Sequence, residues 1–399
     1  MKILHTADWH LRRKDIEEGR KCLAFLVETA RTEKADLVTI AGDIFDSQEV
    51  KVDSPEALLA IQTISALADI APVAVILGTP SHDGHAPEIL RFARGIERIT
   101  VASAPVQLIL TKHGLEEWAP VDEHKAVVTL IPQPTKQFFQ TAAGIEAGGR
   151  EIGQAMSGLF AGFGAQAAQY PGVPHILVTH LNVNGCRLAG GQIRTGMDIE
   201  VSVDQMNMGG FDLGCLGHIH KAQTLGEKYF YSGPIYSTKI DEEGPMGFWI
   251  HDYTGTLMDE WESRFIETPC KRTVRIQDDL TTKDAPSNLW GTEVSGAHIR
   301  YEVSIFQDEI AEIDKATLTK ELTDRGALSV DIRINAVPRV NVRAESVLAA
   351  TTLREEIQEM AKLRGEEIDP DVLLKAELLE NVPGEELMER IVGGAACFQ

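Results

Sequence analysis

The chain is 399 residues long, 43% hydrophobic and 25% charged, with a formal net charge of −22 at pH 7. That composition supports a full hydrophobic core and predicts two or three structural units, which excludes a disordered or fibrous chain. No apolar run approaches the roughly 18 residues of a membrane-spanning helix, and the first residues lead directly into a strand pattern, so neither a membrane span nor a cleavable leader is expected. Five scattered cysteines, Cys22, Cys186, Cys215, Cys270 and Cys397, form no CxxC spacing. Such a set predicts reduced thiols and a cytoplasmic setting.

In chain order, five short β-branched or leucine-rich runs read as strands covered on both faces: Lys2 to His5, Asp36 to Ala41, Val73 to Leu77, His175 to Thr179 and Leu213 to Leu216. Each leads within a few residues to metal-ligating side chains. The segments are Asp8-Trp9-His10, Gly42-Asp43, Ser81-His82-Asp83, His180, and Gly217-His218-Ile219-His220. Open α/β sheets gather their ligand sites outside the carboxyl ends of the strands, so these segments are expected to converge there.

Imidazole nitrogen and carboxylate oxygen without thiolate suit Mn, Fe or Zn better than Ca or Mg. A carboxylate can bridge two such ions roughly 3.5 to 4 Å apart, the spacing at which both flank one phosphoryl group. Asp43 is the expected bridge, because Gly42 before it lets the backbone approach closely. Two ions against Asp8 and Asp43 leave excess positive charge for a phosphate to complete, and they lower the pKa of bound water toward about 7. The pattern predicts a phosphoesterase using two divalent metal ions.

His5-Thr6-Ala7-Asp8-Trp9-His10-Leu11, Ala41-Gly42-Asp43-Ile44-Phe45-Asp46, Gly78-Thr79-Pro80-Ser81-His82-Asp83, Val178-Thr179-His180 and Leu216-Gly217-His218-Ile219-His220-Lys221 resemble the motifs of calcineurin-like metallophosphoesterases. More narrowly they resemble SbcD-type nucleases, the bacterial and phage counterparts of the meiotic recombination eleven nucleases. The motifs span roughly residues 1 to 240, and Tyr231-Ser232-Gly233-Pro234 with Gly247-Phe248 resembles the family's closing strands. The resemblance implies an α/β fold: a β-sandwich flanked by helices, a small α+β capping domain and a C-terminal helical tail. It also implies that Asp8, His10, Asp43 and His220 hold one ion, and Asp43, Ser81, His180 and His218 the other, with Mn2+ the expected metal. His82 would be the non-ligand histidine that stabilises the transition state and helps protonate the leaving oxygen, and Asp83 would orient its ring.

One position departs from the family pattern. Ser81 stands where an asparagine carbonyl is usual, after an extra Thr79-Pro80. The expectation is that the reshaped turn brings Ser81 inward to coordinate directly or through water; the alternative is a weakened site. Trp9 either packs beneath the metals or lines the DNA path, with packing preferred. Asp46 is expected to bond the turn after Asp43, and His5 and His85 are left with structural, supporting or substrate roles.

Arg12, Arg13 and Lys14, with Arg20 and Lys21, form a basic cluster beside the first motif. They read either as DNA contacts or as a solvated helix face. Because DNA is a polyanion, a chain of charge −22 is expected to draw affinity from the ions, from this cluster or from a partner.

The pattern divides into residues 1–262, carrying the motifs, 263–342 and 343–399. The first part includes a Gly/Ala-rich helical excursion around Gly149 to Gln169. In the second, Thr273 to Ile276, Ile299 to Ile305 and Ser329 to Ile334 read as strands and Lys315 to Arg325 as a helix. In the third, Thr352 and Glu355 form a capping box before a stripe of Leu353, Ile357 and Met360; Gly365 ends that helix, and Asp369-Pro370 starts another carrying Leu374 and Leu378. Two short amphipathic helices must dock on the body or on a partner. The family resemblance implies the latter, the coiled-coil base of an SbcC-like ATPase, and acidic residues outnumber basic ones about two to one in this tail, which predicts a basic partner surface.

Together these features point to a Mn-dependent DNA phosphodiesterase, and the resemblance implies 3′-to-5′ exonuclease and endonuclease activity. By that resemblance it would be the nuclease component of an SbcC/SbcD-like repair or recombination complex and a homodimer, located with the nucleoid or in a host cytoplasm. The alternatives are a metallophosphoesterase for small phosphodiesters or phosphoproteins, and a non-catalytic scaffold with a weakened metal site.

Overall fold

The strand runs build a two-sheet sandwich in the computed structural model, which describes residues 1–381 apart from 94–95, 136–148, 191, 193–198, 240–241, 243, 256–260, 283–286, 340–346 and 348. Cys397 and the expected boundary at 342 lie outside the described residues. The first sheet begins with β1 (Lys2–Thr6), β2 (Leu37–Ile40), β3 (Val73–Ile76) and β4 (Ile99–Ala102). The second contains β5 (Val106–Leu110), β6 (Leu115–Glu116), β7 (Ala126–Ile131) and β8 (His175–His180). After a short ribbon of β9 (Asn182–Val183) and β10 (Glu200–Val201), it adds β11 (Leu213–Gly217), β12 (Gln223–Leu225) and β13 (Tyr229–Tyr231). The chain then returns to the first sheet with β14 (Gly247–Tyr253) and β15 (Trp261–Glu267).

The orders are β15-β14-β1-β2-β3-β4 and β12-β13-β11-β8-β7-β5-β6. β1 to β4 run parallel, as do β7, β8, β11 and β13, so the strands that carry the motifs deliver their loops to one edge of each sheet. β14 closes antiparallel on β1, with Leu4 opposite Ile250. β15 spans the expected boundary at 262, so the first sheet continues to Glu267.

Fully buried strands need apolar cover on both faces, and three clusters supply it. Ile3, Leu37, Ala74 and Ile76 meet Leu110, Val128, Ile176 and Val178 between the sheets. Leu4, Val38 and Val75 pack against helices α1 (Ile16–Glu33) and α2 (Pro55–Ala68). Helix α1 turns Cys22, Leu23, Leu26 and Ala30 inward, a stripe at helical spacing. Ser54 caps α2 by accepting Ala57 N–H, with Pro55 at the first helical position. On the far side, the Gly149–Ala167 helix is not loose despite its glycines: Ile152, Met156 and Phe160 bury against Leu177, Leu216 and Tyr231.

A third sheet, β16 (Arg272–Asp279), β17 (Ala297–Phe306) and β18 (Ser329–Val337), has its own core of Ile276, Ile299, Tyr301, Val303 and Leu322, the last from the Lys315–Asp324 helix. The chain forms two compact units, Met1–Ser304 with Ile313–Asn335, and Ile305–Glu312 with Ala336–Gln399. In the second unit, Thr352 accepts Glu355 N–H and opens the Leu353–Arg364 helix, which Gly365 ends at φ 68°. The Pro370–Asn381 helix lies against it, with Leu353 N–H donating to Glu380 (2.8 Å) and Arg354 paired with Glu377. Met360, Leu363, Leu374 and Leu379 remain exposed on this pair. No helix among the described residues is long and apolar enough to cross a membrane, and among them Cys22, Cys186, Cys215 and Cys270 form no disulfide.

Candidate metal centre

The loops after β1 and β2 are stitched together by their backbones. Asp8 N–H donates to Gly42 O (3.0 Å), His10 N–H to Asp43 O (3.0 Å) and Leu11 N–H to Ile44 O (2.9 Å). The β11 loop joins them through His218 N–H, which donates to Asp8 Oδ1 at 3.0 Å. Gly42 is required at this crossing: at φ 85°, a Cβ there would fall 2.6 Å from His180 Nδ1.

Backbone strain collects at the same place. Among the described residues, five non-glycine positions have positive φ, and four are expected ligands: Asp8 (53°), His10 (41°), Asp43 (54°) and His218 (96°). Such conformations cost about 1–3 kcal/mol each and persist only where the surroundings over-determine them.

Ring orientation follows from what each Nδ1 does. His180 Nδ1–H donates to Ala41 O at 2.6 Å, leaving Nε2 3.3 Å from Asp43 Oδ2. His220 Nδ1–H donates to Glu242 Oε1 at 2.6 Å, leaving Nε2 2.9 Å from His10 Nε2. His10 Nε2 is in turn 3.7 Å from Asp43 Oδ2. Two ligand groups result, Asp8 with His10 and His220, and Asp8 with Asp43 and His180, each with donor atoms within 4.8 Å of one another. The His218 ring stands edge-on to His180, with centroids 5.3 Å apart. His82 lies beside the first group, its ring 4.7 Å from that of His10 and its Nδ1–H on the Asp46 carbonyl at 3.0 Å.

The donor set fits divalent ions. Two imidazole nitrogens each about 2.1 Å from one ion are separated by about 3.0–3.4 Å, close to the 2.9 Å between His10 and His220. Asp8, His10, Asp43 and His180 are all at most 2% exposed, and so many enclosed polar groups demand compensating charge. Burial opposes ionisation of Asp43, but His180 and then His10 outweigh it and hold the carboxyl well below its usual range. Burial opposes a charged His180, yet Asp43 raises it to about 9. In the protein alone a proton on His180 balances Asp43; a cation supplies the same charge.

The calcineurin-like phosphoesterase family model matches residues 1–222. The chain belongs to that family. A curated relative, the SbcD component of the SbcCD nuclease of Rhodobacter capsulatus, is 28% identical over 282 residues, covering 65% of this chain and 66% of its own length, just under two thirds. Among solved structures, the anchor in the inner membrane complex of Plasmodium is similar at a TM-score of 0.42 and 11% identity, over 67% of this chain and 84% of its own. A dimetal phosphatase from Danio rerio is similar at 0.41 and 10%, over 66% and 95%.

Two sequence expectations for this calcineurin-like phosphoesterase need correction. Ser81 is exposed, and its carbonyl accepts Gln48 N–H. The turn closes on Thr79 O, which accepts both His82 N–H and Asp83 N–H at 2.9 Å, and this sets Ser81 at the outer tip. Thr79 occupies the inward position instead: its N–H reaches Asp43 Oδ1 at 2.5 Å, and its Oγ1 lies 3.1 Å from Asp43 Oδ2 and 3.3 Å from His180 Nε2. Its signal in the sequence was its place directly after Gly78.

Asp83 does not orient His82; the Asp46 carbonyl does. The fully buried Asp83 carboxylate accepts the N–H groups of Asp43, Phe45 and Gly78 at 2.8 to 3.0 Å, and so fastens the β2 loop to the β3 loop. Burial, then the charge of Asp43, pushes its carboxyl up to about 7. Arg12 is already engaged with Asp15 and the Thr238 carbonyl and lies 3.7 Å from Asp46, whereas Arg13 and Lys14 are exposed.

Trp9 is fully buried, its Nε1–H on Thr6 Oγ1 at 2.9 Å, and packs beneath the site. His5 is also fully buried, bonded to the Leu216 carbonyl, while His85 is exposed. Sequence reasoning missed Thr79, Glu242 and Gln192. Gln192 clamps the β11 loop by donating to His218 O (2.6 Å) and accepting His220 N–H (3.1 Å). Nothing in its local sequence points to this.

Proposed function

We propose that the chain is a two-metal phosphodiesterase that cleaves DNA in the manner of an SbcD-type nuclease. The observation that carries this is the convergence of Asp8, His10, Asp43, His180 and His220, with His218 and Thr79 at their side, in one buried cluster. Asp8, His10 and His220 would hold one divalent ion, Thr79, His180 and His218 the other, with Asp43 between them. When bound, the ions polarise the phosphoryl group and activate water at neutral pH. His82, fixed through Nδ1 by the Asp46 carbonyl, keeps Nε2 for a proton at the leaving oxygen. Mn2+ suits the imidazole and carboxylate donors.

The relative named as part of a nuclease supports DNA as substrate. The exposed apolar residues of the two C-terminal helices, Met360 and Leu374 among them, support docking on a coiled-coil ATPase partner, with Leu353, Ile357 and Leu378 completing the face. Residues 263–342 would act as the capping domain, Arg13 and Lys14 would meet the phosphate backbone, and the assembly would be a homodimer working at the nucleoid.

One observation favours a second reading. A net charge of −22 with Arg12 already paired suits a small phosphodiester better than a polyanion. The test is hydrolysis by the Mn2+-supplemented chain of duplex ends and of bis-nitrophenyl phosphate, with and without an SbcC-like ATPase. Cleavage of duplex ends supports the nuclease; hydrolysis of the small diester alone, with the ATPase present, supports the second reading. Two bound ions with no turnover of either would favour a scaffold.

A further inference from the structure

Glu242 is 1% exposed, and its carboxylate meets the His220 ring. Its carboxylate is held from four directions. Oε1 accepts His220 Nδ1–H at 2.6 Å and Thr238 Oγ1–H at 3.1 Å. Oε2 accepts Thr238 N–H at 2.7 Å and Lys239 N–H at 3.1 Å. The far side of this turn is braced as well, because the Arg12 guanidinium holds the Thr238 carbonyl. An acceptor so fully committed imposes one tautomer on its imidazole partner: the proton sits on Nδ1, and the Nε2 lone pair points at the cluster.

The two sides of the centre differ in this respect. On the His180 side, the neutral Ala41 carbonyl fixes Nδ1–H. On the other side, His10 Nδ1 is buried and has no hydrogen-bond partner among the described residues, so the ion there depends on His220 for a pre-aimed nitrogen. An anionic acceptor also makes the imidazole a stronger donor than a carbonyl does.

We propose that Glu242 is the positioning residue for the ion held by Asp8, His10 and His220: it locks the His220 tautomer and sets the affinity of that side separately from the Asp43–His180 side. This rests on the two-ion reading above. Gln at 242 keeps the shape but can offer an N–H to Nδ1, which would move the ring proton to Nε2 and block coordination.

The experiment is calorimetric Mn2+ titration of the full chain, wild type, E242Q and T238V, with 15N–1H correlation of the histidine rings in the ion-free protein at alkaline pH, where the rings are neutral. Expected are two binding events in the wild type and an Nδ1–H tautomer at His220. E242Q should weaken one event by about 10- to 100-fold, leave the other within about twofold, and populate the Nε2–H tautomer. T238V, which removes one hydroxyl donor to the carboxylate, should shift the same event in the same direction by less. E242Q binding both ions like the wild type, weakening both equally, or keeping the wild-type tautomer overturns the proposal. A wild type that binds fewer than two ions overturns the two-ion reading and this proposal with it.

Discussion

His10 Nε2 and His220 Nε2 face each other across 2.9 Å, although 210 residues separate them in the chain. Glu242 holds the Nδ1 proton of His220 on the opposite side of its ring, so both Nε2 atoms face one space in which a cation can replace the hydrogen bond between them. Mn2+ should therefore raise the thermal midpoint, and a chelator should lower it. Ligand binding contributes about 2.7 kcal/mol per ion at a hundredfold excess over Kd, a shift of several degrees. Equal midpoints in Mn2+ and chelator would remove this expectation.

The Thr79 and Ser81 hydroxyls make opposite predictions. Thr79 Oγ1 lies within 3.3 Å of both Asp43 and His180, so Thr79→Val should weaken the second ion at least about tenfold, by analogy with the loss of supporting contacts in metal sites. Ser81→Ala should leave both affinities unchanged. Isothermal titration of the two variants reads this directly, and the reverse pattern would restore Ser81 as ligand.

Asp83 is a structural clamp. Its truncation to Ala leaves the N–H groups of Asp43, Phe45 and Gly78 without their acceptor, at a cost of about 3–9 kcal/mol given 1–3 for each unsatisfied group. Urea denaturation of the chelated protein checks this. A loss below about 1 kcal/mol would mean water or a neighbour takes over.

Acid should destabilise the protein through His5. Burial pushes this imidazole down to about 3, against the weaker opposing bond to the Leu216 carbonyl. The unfolded chain therefore binds the extra proton between pH 6.5 and 3, and stability falls as pH drops through that window, by up to about 1.4 kcal/mol per pH unit for one group. His5→Gln should flatten the slope of the urea midpoint between pH 6.5 and 4 in the chelated protein. An unchanged slope would assign the proton elsewhere.

Much of this centre is legible in the sequence because strand and ligand alternate. The runs ending near Thr6, Ile40, Ile76, His180 and Gly217 are short, apolar and β-branched or leucine-rich, and each is followed by a side chain whose chemistry has few uses other than a metal. Register and burial then follow from packing. Counting back from His82 selects Ser81 over Thr79, whereas the turn pivots on the Thr79 carbonyl and pushes the insertion outward. Adjacency to His82 suggests the wrong role for Asp83, because consecutive residues in a tight turn point to different sides. Glu242 and Gln192 carry no local signal, since their roles exist only after the β11 loop meets two distant segments.

Ion stoichiometry read together with turnover tests the shared centre most directly. Chelated protein titrated with Mn2+ should bind two ions per chain; Asp43→Ala should lose both, since its carboxylate lies between the groups; and His82→Ala should still bind two while phosphodiester hydrolysis falls about 10²- to 10⁴-fold. A single ion in the wild type, or full binding by Asp43→Ala, would contradict the shared centre.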